Sequence, residues 1–174
     1  MFEIISRGGI VNSIPSFLIK KGKYKYMNLL LGLRNTTSQS VLALGTINLG
    51  SVYRRYCKKN SCGTKTFDNT ATTVTLQQQG IYHVTATLVG TGGTAGNVTI
   101  QLLENGVAVP SGLSTETITT ANTEFRTFVI DTYILVDDAC LLGTNSTLAK
   151  TLSLQNTGVG ATFTSVTMNV EKVV

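Results

Sequence analysis

Short segments that alternate apolar and polar residues fill the sequence after Lys65, and glycine- or asparagine-containing turns separate them. Within residues 82–88, Tyr82, Val84, Ala86 and Leu88 share one face of an extended chain, whereas His83, Thr85 and Thr87 share the other. Asn105-Gly106 is typical of a type I′ hairpin turn, because both residues accept a positive φ. About eight to ten short strands with turns about every 8 to 12 residues predict an all-β, antiparallel jelly-roll sandwich.

The predicted strands run from the middle of the chain to its end. No stretch after Lys65 carries the apolar stripe of a helix, and residues 28–33 form only a small apolar cluster. The strands are expected at residues 41–49, 52–56, 73–77, 82–88, 98–102, 115–120, 124–130, 133–136, 147–154 and 161–170.

Charge divides the chain at the same place. Residues 1–65 hold 11 of the 14 Lys and Arg residues against a single acid, a net charge of +10, and the remainder has a net charge of −5. This division predicts a basic, irregular N-terminal anchor at residues 1–40 and a jelly-roll domain at residues 41–174.

Met1 and Met27 both stay open as the start of translation, because Lys20–Lys23 would be encoded by a purine-rich tract placed like a bacterial ribosome-binding site.

Several segments in order give the body a family resemblance. They are GTINLG at residues 45–50, YRR at 53–55, VTL at 74–76, GIYHV at 80–84, AGNVTIQL at 95–102, Asn105-Gly106 and LSLQNTG at 152–158. The body resembles phage and prophage structural proteins with a tumour-necrosis-factor (TNF)/complement-type jelly roll, and spore-surface collagen-like proteins of Gram-positive bacteria carry a similar head. This TNF-like resemblance implies a ten-stranded sandwich that forms a tight homotrimer displayed on a particle.

Aromatic residues are the candidates for the trimer interface that the resemblance implies. The set is Tyr82, Phe125, Phe128, Tyr133 and Phe163. Each ring would bury a comparable apolar area in the sandwich core or between subunits, so both roles stay open at this stage.

The basic front is the candidate anchor. It contains Lys20, Lys21, Lys23, Lys25 and Arg34, which suit an acidic surface on a capsid or tail protein of a virion. Nucleic acid is the weaker alternative, because no recognisable nucleic-acid-binding module accompanies the charge. Residues 10–19 are too short and too polar to cross a bilayer, so no membrane partner is expected.

The chemistry-bearing residues do not form a catalytic pattern. His83 is the single imidazole, and the sequence offers it no partners for nucleophilic catalysis. If three copies of His83 meet at a trimer axis, their protonation near pH 6 would weaken assembly. The sequence predicts free thiols at Cys57, Cys62 and Cys140, with a loop disulfide or a zinc site as alternatives. A calcium site that includes Asp137-Asp138 is a further alternative. We expect no enzyme activity, no cofactor and no metal.

These features together predict a structural virion component. The chain is expected to be a head fibre or capsid decoration protein on a bacteriophage surface, assembled in the cytoplasm of the bacterial host and attached by its N-terminal segment. The alternative is a receptor-binding or carbohydrate-binding adhesin of a tail fibre or bacterial surface, which would contact a host-surface glycan. A polysaccharide-degrading enzyme ranks third, because the acids of the body lack the paired spacing of such enzymes.

Overall fold

The computed structural model describes residues 29–56, 67–137 and 149–173. These residues form eleven strands and no helix, so no helix in this part of the chain is long and apolar enough to cross a membrane. The strands are β1 (Leu29–Asn35), β2 (Gln39–Val41), β3 (Ser51–Tyr56), β4 (Phe67–Asn69), β5 (Thr73–Leu76), β6 (Gly80–Gly92), β7 (Gly96–Glu104), β8 (Val107–Ile118), β9 (Arg126–Val136), β10 (Lys150–Asn156) and β11 (Ala161–Lys172).

The strands build two antiparallel sheets, which confirms the predicted jelly-roll sandwich. Sheet 1 has the order β3-β1-β11-β6-β9, and the short β2 also pairs with β11. Sheet 2 has the order β4-β5-β10-β7-β8. The Asn105-Gly106 turn joins β7 to β8 with φ values of 50° and 81°, as the predicted hairpin requires.

The core lies between the sheets and is built by alternation along the strands. Tyr82, Val84, Ala86 and Leu88 of β6 are buried, as predicted. Tyr82, Phe128 and Phe163 are fully buried in this core, and the rings of Phe128 and Phe163 meet edge to face. Their prediction as trimer-interface residues is therefore wrong, because no part of these side chains reaches the surface of the subunit.

The sandwich begins earlier in the sequence than predicted. β1 pairs with β11 along its whole length, from Leu29 opposite Lys172 to Asn35 opposite Val166. Its Leu31 and Leu33 are fully buried in the core. The boundary predicted after residue 40 is corrected to one before Leu29, and Arg34 lies in a sheet strand instead of an N-terminal arm.

Two predicted strands have different bounds from the observed ones. The apolar run at residues 41–49 is not one strand, because β2 ends at Val41 and residues 44–47 then hydrogen-bond to β10 of sheet 2, with Ile47 and Leu49 buried in the core. The predicted strands at residues 124–130 and 133–136 are one continuous strand, β9. Its polar Thr132 faces inward, where its hydroxyl lies 2.5 Å from that of Ser111.

The strand order gives the sandwich two distinct ends. At the terminal end β1 begins and β11 finishes, since Leu29 lies opposite Lys172. At the loop end, residues 42–50, 93–95, 119–125 and 157–160 connect the strands. The chain before Leu29 therefore enters the sandwich at the end opposite to these connections.

Candidate functional site

One outward face of the sandwich is apolar. Along β9, Val129, Tyr133 and Leu135 point away from the core with exposed fractions of 56%, 63% and 52%. Leu135 lies opposite Ile81 of β6, and the amide of Val173 bonds to the carbonyl of Ile81, so large apolar side chains continue across three chain segments. We call Ile81, Val129, Tyr133, Leu135 and Val173 the apolar patch.

The outward face of sheet 2 has the opposite character. Hydroxyl and amide side chains pair across its strands, with Thr99 and Thr115 at 3.1 Å and Thr117 donating to Asn97 at 2.9 Å. Among the described residues of sheet 2, the large apolar side chains at the surface are Leu103 and Leu113, next to the register shift between β7 and β8, and Val107 beside the hairpin turn. Sheet 2 therefore has a surface suited to water, and the apolar patch of sheet 1 does not.

His83 lies within the apolar patch and is paired inside its own subunit. Its Nε2 is 2.7 Å from Oδ1 of Asp131, and its ring stacks on Tyr133 with centroids 4.9 Å apart. The Asp131 carboxylate therefore gives His83 a partner without any neighbouring subunit. The expected weakening of assembly near pH 6 stays a prediction.

A groove of about 310 Å³ lies beside the apolar patch, on the same face but toward β1 and β3. The Tyr53 ring covers Gly32, where a Cβ atom would come within 2.7 Å of it, and the Tyr53 hydroxyl donates to Asn169 at 2.7 Å. Arg54 and Glu171 also line the groove, and the exposed Arg34 lies on the same strand as Gly32. The groove side of the face is therefore the basic side.

At the loop end, the fully buried Asn156 organises two connections. Its side-chain amide donates to the carbonyls of Val159 at 2.8 Å and Val41 at 3.3 Å. Its backbone carbonyl accepts from Leu44 at 2.6 Å, and its backbone amide donates to Gly45 at 3.0 Å. Residues 41–45 and 157–160 are thus held by one residue at the end of β10.

These two connections form the walls of a cleft of about 370 Å³ at the loop end, which we call the loop-end cleft. Its remaining wall comes from residues 93–94 and from the connection between β8 and β9. The side chains and backbone that line it belong to Ser40, Val41, Leu42, Gly93, Thr94, Asn122, Gly160, Ala161 and Thr162. No Lys, Arg, Asp, Glu or His is among these residues, so the cleft is neutral.

The connection from β8 to β9 is held by one carboxylate. Glu124 accepts hydrogen bonds from the amide and hydroxyl of Thr119 at 2.7 and 2.8 Å and from the amide of Thr120 at 3.1 Å, and it also pairs with Arg126. These hydrogen bonds lower the pKa of Glu124 to about 2. The bonds from Thr119 have the largest effect, and those from Thr120 and Arg126 add to it. The carboxylate thereby positions residues 119–125, which include Asn122 of the cleft.

We expect this connection to be acid-sensitive in a defined window. Because the pKa of Glu124 is lowered by folding, its stabilising effect is present above the ordinary carboxyl range and is lost as pH falls toward about 2. The protection of the Thr119 and Thr120 amides against hydrogen exchange, measured relative to the intrinsic rate at each pH, should persist at pH 4 and be lost as pH falls toward about 2. In Glu124→Gln this protection should already be lower at pH 6, and loss of wild-type protection with a midpoint near pH 4.5 would contradict the assignment.

The remaining predicted site residues fall into two groups. Phe125 and Tyr133 are exposed, as an interface role requires, and that role stays a prediction. Lys20, Lys21, Lys23 and Lys25 lie outside the described residues, as do Cys57, Cys62 and Cys140. In residues 29–56, 67–137 and 149–173, no three His, Asp or Glu side chains are grouped closely enough to hold a metal ion.

Sequence reasoning missed the groove and the loop-end cleft. The groove depends on Tyr53 lying across Gly32, and nothing in a linear sequence relates these two positions. The cleft had one usable signal, the apolar run at residues 41–49, in which exposed leucines follow the end of a strand. That run was interpreted as a strand.

Comparison with known proteins supports the fold. No protein-family model matches the sequence, and no curated protein matches it. Among solved structures, the globular domain of zebrafish complement 1qA protein is similar at 6% identity and TM-score 0.55, covering 84% of this chain and 98% of that one. Murine APRIL at pH 5.0 is similar at 7% identity and TM-score 0.58, covering 83% and 98%. PRD1 vertex protein P5 is similar at 16% identity and TM-score 0.50, covering 85% and 99%. The chain therefore has the TNF/complement-type jelly-roll fold.

Proposed function

We propose that this chain is a homotrimeric structural component of a bacteriophage particle, a head fibre or capsid decoration protein on the virion surface. The observation that carries the proposal is the contrast between the two outward faces. A subunit that exposes Val129, Tyr133 and Leu135 on one sheet and hydroxyl pairs on the other is suited to covering the first sheet with neighbouring copies.

A closed ring of three needs two different surfaces on each subunit, because one surface of each copy meets the other surface of the next. The sheet 1 face offers such a pair. The apolar patch lies toward β9 with the acidic Asp131, and the groove lies toward β3 with Arg34 and Arg54. Apolar contact with opposite charges at its margin favours a ring of copies of this chain.

The direction of the chain supports attachment by the N-terminal segment. Residues before Leu29 enter at the terminal end, so an anchor there leaves the loop end facing away from the particle. Lys20, Lys21, Lys23 and Lys25 precede this entry point closely and are the proposed contacts to an acidic capsid or tail protein. Like the solved vertex protein of the same fold, this chain would then serve on the outside of an assembly.

Two measurements test the proposal. Light scattering after size exclusion should give a mass three times the 18.6 kDa of the chain. Immunogold labelling of particles purified from the bacterium that carries the gene should place the protein on capsids. A monomer in solution, or purified particles that lack the protein, would overturn the proposal.

The alternative is a receptor-binding or carbohydrate-binding adhesin, and the loop-end cleft favours it. Its presence at the end away from the N-terminal entry is suited to contact with a host surface. Labelling of tail fibres or of the bacterial surface, with none on capsids, would favour the adhesin over decoration.

A further inference from the structure

We propose that the loop-end cleft is a binding site for a neutral saccharide. The inference goes beyond the structural role above and does not depend on the trimer, because residues of a single subunit line the whole cleft. Its volume of about 370 Å³ lies within the range of about 300–1,000 Å³ that is typical of small-molecule sites.

The polar groups of the cleft are suited to sugar hydroxyls. Asn122 and Thr94 line the cleft, and their exposed side chains make no hydrogen bond with any residue that the structure describes, so their donors and acceptors are available to a ligand. The hydroxyls of Ser40 and Thr162, 3.0 Å apart, add a second polar wall. Hydroxyl and amide side chains both donate and accept hydrogen bonds, which matches the hydroxyl groups of a sugar. Because no charged side chain lines the cleft, a neutral sugar is favoured over a charged one.

A buried hydroxyl next to the cleft points the same way. Thr91 lies opposite Thr162 in the strand register and is buried, and its Oγ1 has no hydrogen-bond partner in the described part of the chain. Buried hydroxyls normally have a partner. This corner of the sandwich therefore holds more hydrogen-bonding groups than the fold itself uses.

The opposite wall is aliphatic, and the turn that carries it contains a left-handed leucine. Leu42 is 80% exposed there, where it offers a surface for the apolar C–H face of a sugar ring. Leu44 in the same turn has a φ of 62°, and Asn122 across the cleft has a φ of 61°. A left-handed leucine costs about 1–2 kcal/mol, and such strain clusters at functional sites.

Glycine leaves the cleft open. A Cβ atom added at Gly160 would meet only the carbonyl oxygen of Val41 at 3.8 Å and the Cα of Leu42 at 3.9 Å, which are ordinary contacts. Larger side chains are therefore sterically allowed at residue 160, but they would occupy the space of the ligand. Bare backbone at this position permits close approach by a ligand.

The test is saturation-transfer NMR on the full chain with glucose, galactose, rhamnose and N-acetylglucosamine as probes, and glucuronic acid as the charged comparison. We expect transfer to at least one neutral sugar and none to glucuronic acid. Gly160→Val should weaken binding about tenfold or more by filling the cleft, and Leu42→Ser should weaken it by removing the apolar wall. Ala108→Val, which also introduces a valine but at an exposed site on β8, should leave binding unchanged.

The outcomes are separable from those of the trimer proposal. Absence of transfer to all four neutral sugars overturns the saccharide site, and transfer that persists in Gly160→Val places binding elsewhere on the molecule. Thermal unfolding of Gly160→Val at the wild-type temperature establishes that the variant is folded. The mass of each sample is measured in parallel, so a monomer that binds sugar contradicts the trimer alone, and a trimer that binds none contradicts the cleft alone.

Discussion

Leu135→Lys is expected to convert the proposed trimer into monomers. Leu135 is 52% exposed in the single subunit, so the substitution leaves the core of the sandwich intact. In a trimer closed over the apolar patch, each interface would instead bury an uncompensated ammonium group, at a cost of about 3–5 kcal/mol. This penalty raises the dissociation constant at least about a hundredfold. Light scattering over a dilution series should show the mass of one 18.6 kDa chain.

The chain offers a matched control for this substitution. Leu113 is also 52% exposed, but it lies on the outward face of sheet 2. Leu113→Lys introduces the same side chain at the same exposure and should leave the trimer mass unchanged. If both variants stay trimeric, the apolar patch is not the interface; if both dissociate, the effect of lysine is not specific to sheet 1.

Local pattern was sufficient for β6 and for the hairpin between β7 and β8. The alternation in residues 82–88 correctly placed Tyr82 and its neighbours inside, and Asn105-Gly106 correctly placed a hairpin. In both cases the side-chain period or the φ preference is a property of a few adjacent residues. The class of fold followed from the number and spacing of such segments.

Pattern failed where the partner of a segment lies far away in the sequence. β1 is a strand because β11, more than a hundred residues later, pairs with it, and its short leucine run interrupted by Gly32 carries little periodicity. Residues 42–50 are equally apolar but pass from sheet 1 to the edge of β10 in sheet 2, where Ile47 and Leu49 are buried in the core. Composition does not distinguish a strand from a segment that covers a core.

The candidate site was the least predictable part for the same reason. Phe128 and Tyr133 are both aromatic residues of one strand, and their odd spacing alone puts them on opposite faces. The alternation is ambiguous here, because the outward face of β9 carries Val129 and Leu135 beside Asp131, and the inward face carries the polar Thr132. Only with the sheet order in place does Phe128 belong to the core and Tyr133 to the surface.

Asn156 is the polar residue on which the loop end depends most. It is fully buried at the end of β10, and its side-chain amide supplies hydrogen bonds to carbonyls of two separate connections. Asn156→Ala removes the side-chain amide, so the carbonyls of Val41 and Val159 lose the hydrogen-bond donor that they share in the folded protein. A buried acceptor that loses its partner costs about 1–3 kcal/mol, so the substitution is expected to destabilise the fold by about 3 kcal/mol.

The neighbouring Gln155 provides the comparison, because its side-chain amide makes one hydrogen bond, to the carbonyl of Leu44 at 2.9 Å, in an exposed position. Gln155→Ala should cost less than about 1 kcal/mol, since water replaces the lost donor. Denaturant unfolding at one protein concentration measures both, because the stability of an oligomer depends on concentration. Equal costs for the two variants would mean that Asn156 does not hold the loop end. A larger cost for Asn156→Ala should come with loss of saccharide binding, because residues 41–45 and 157–160 form walls of the loop-end cleft.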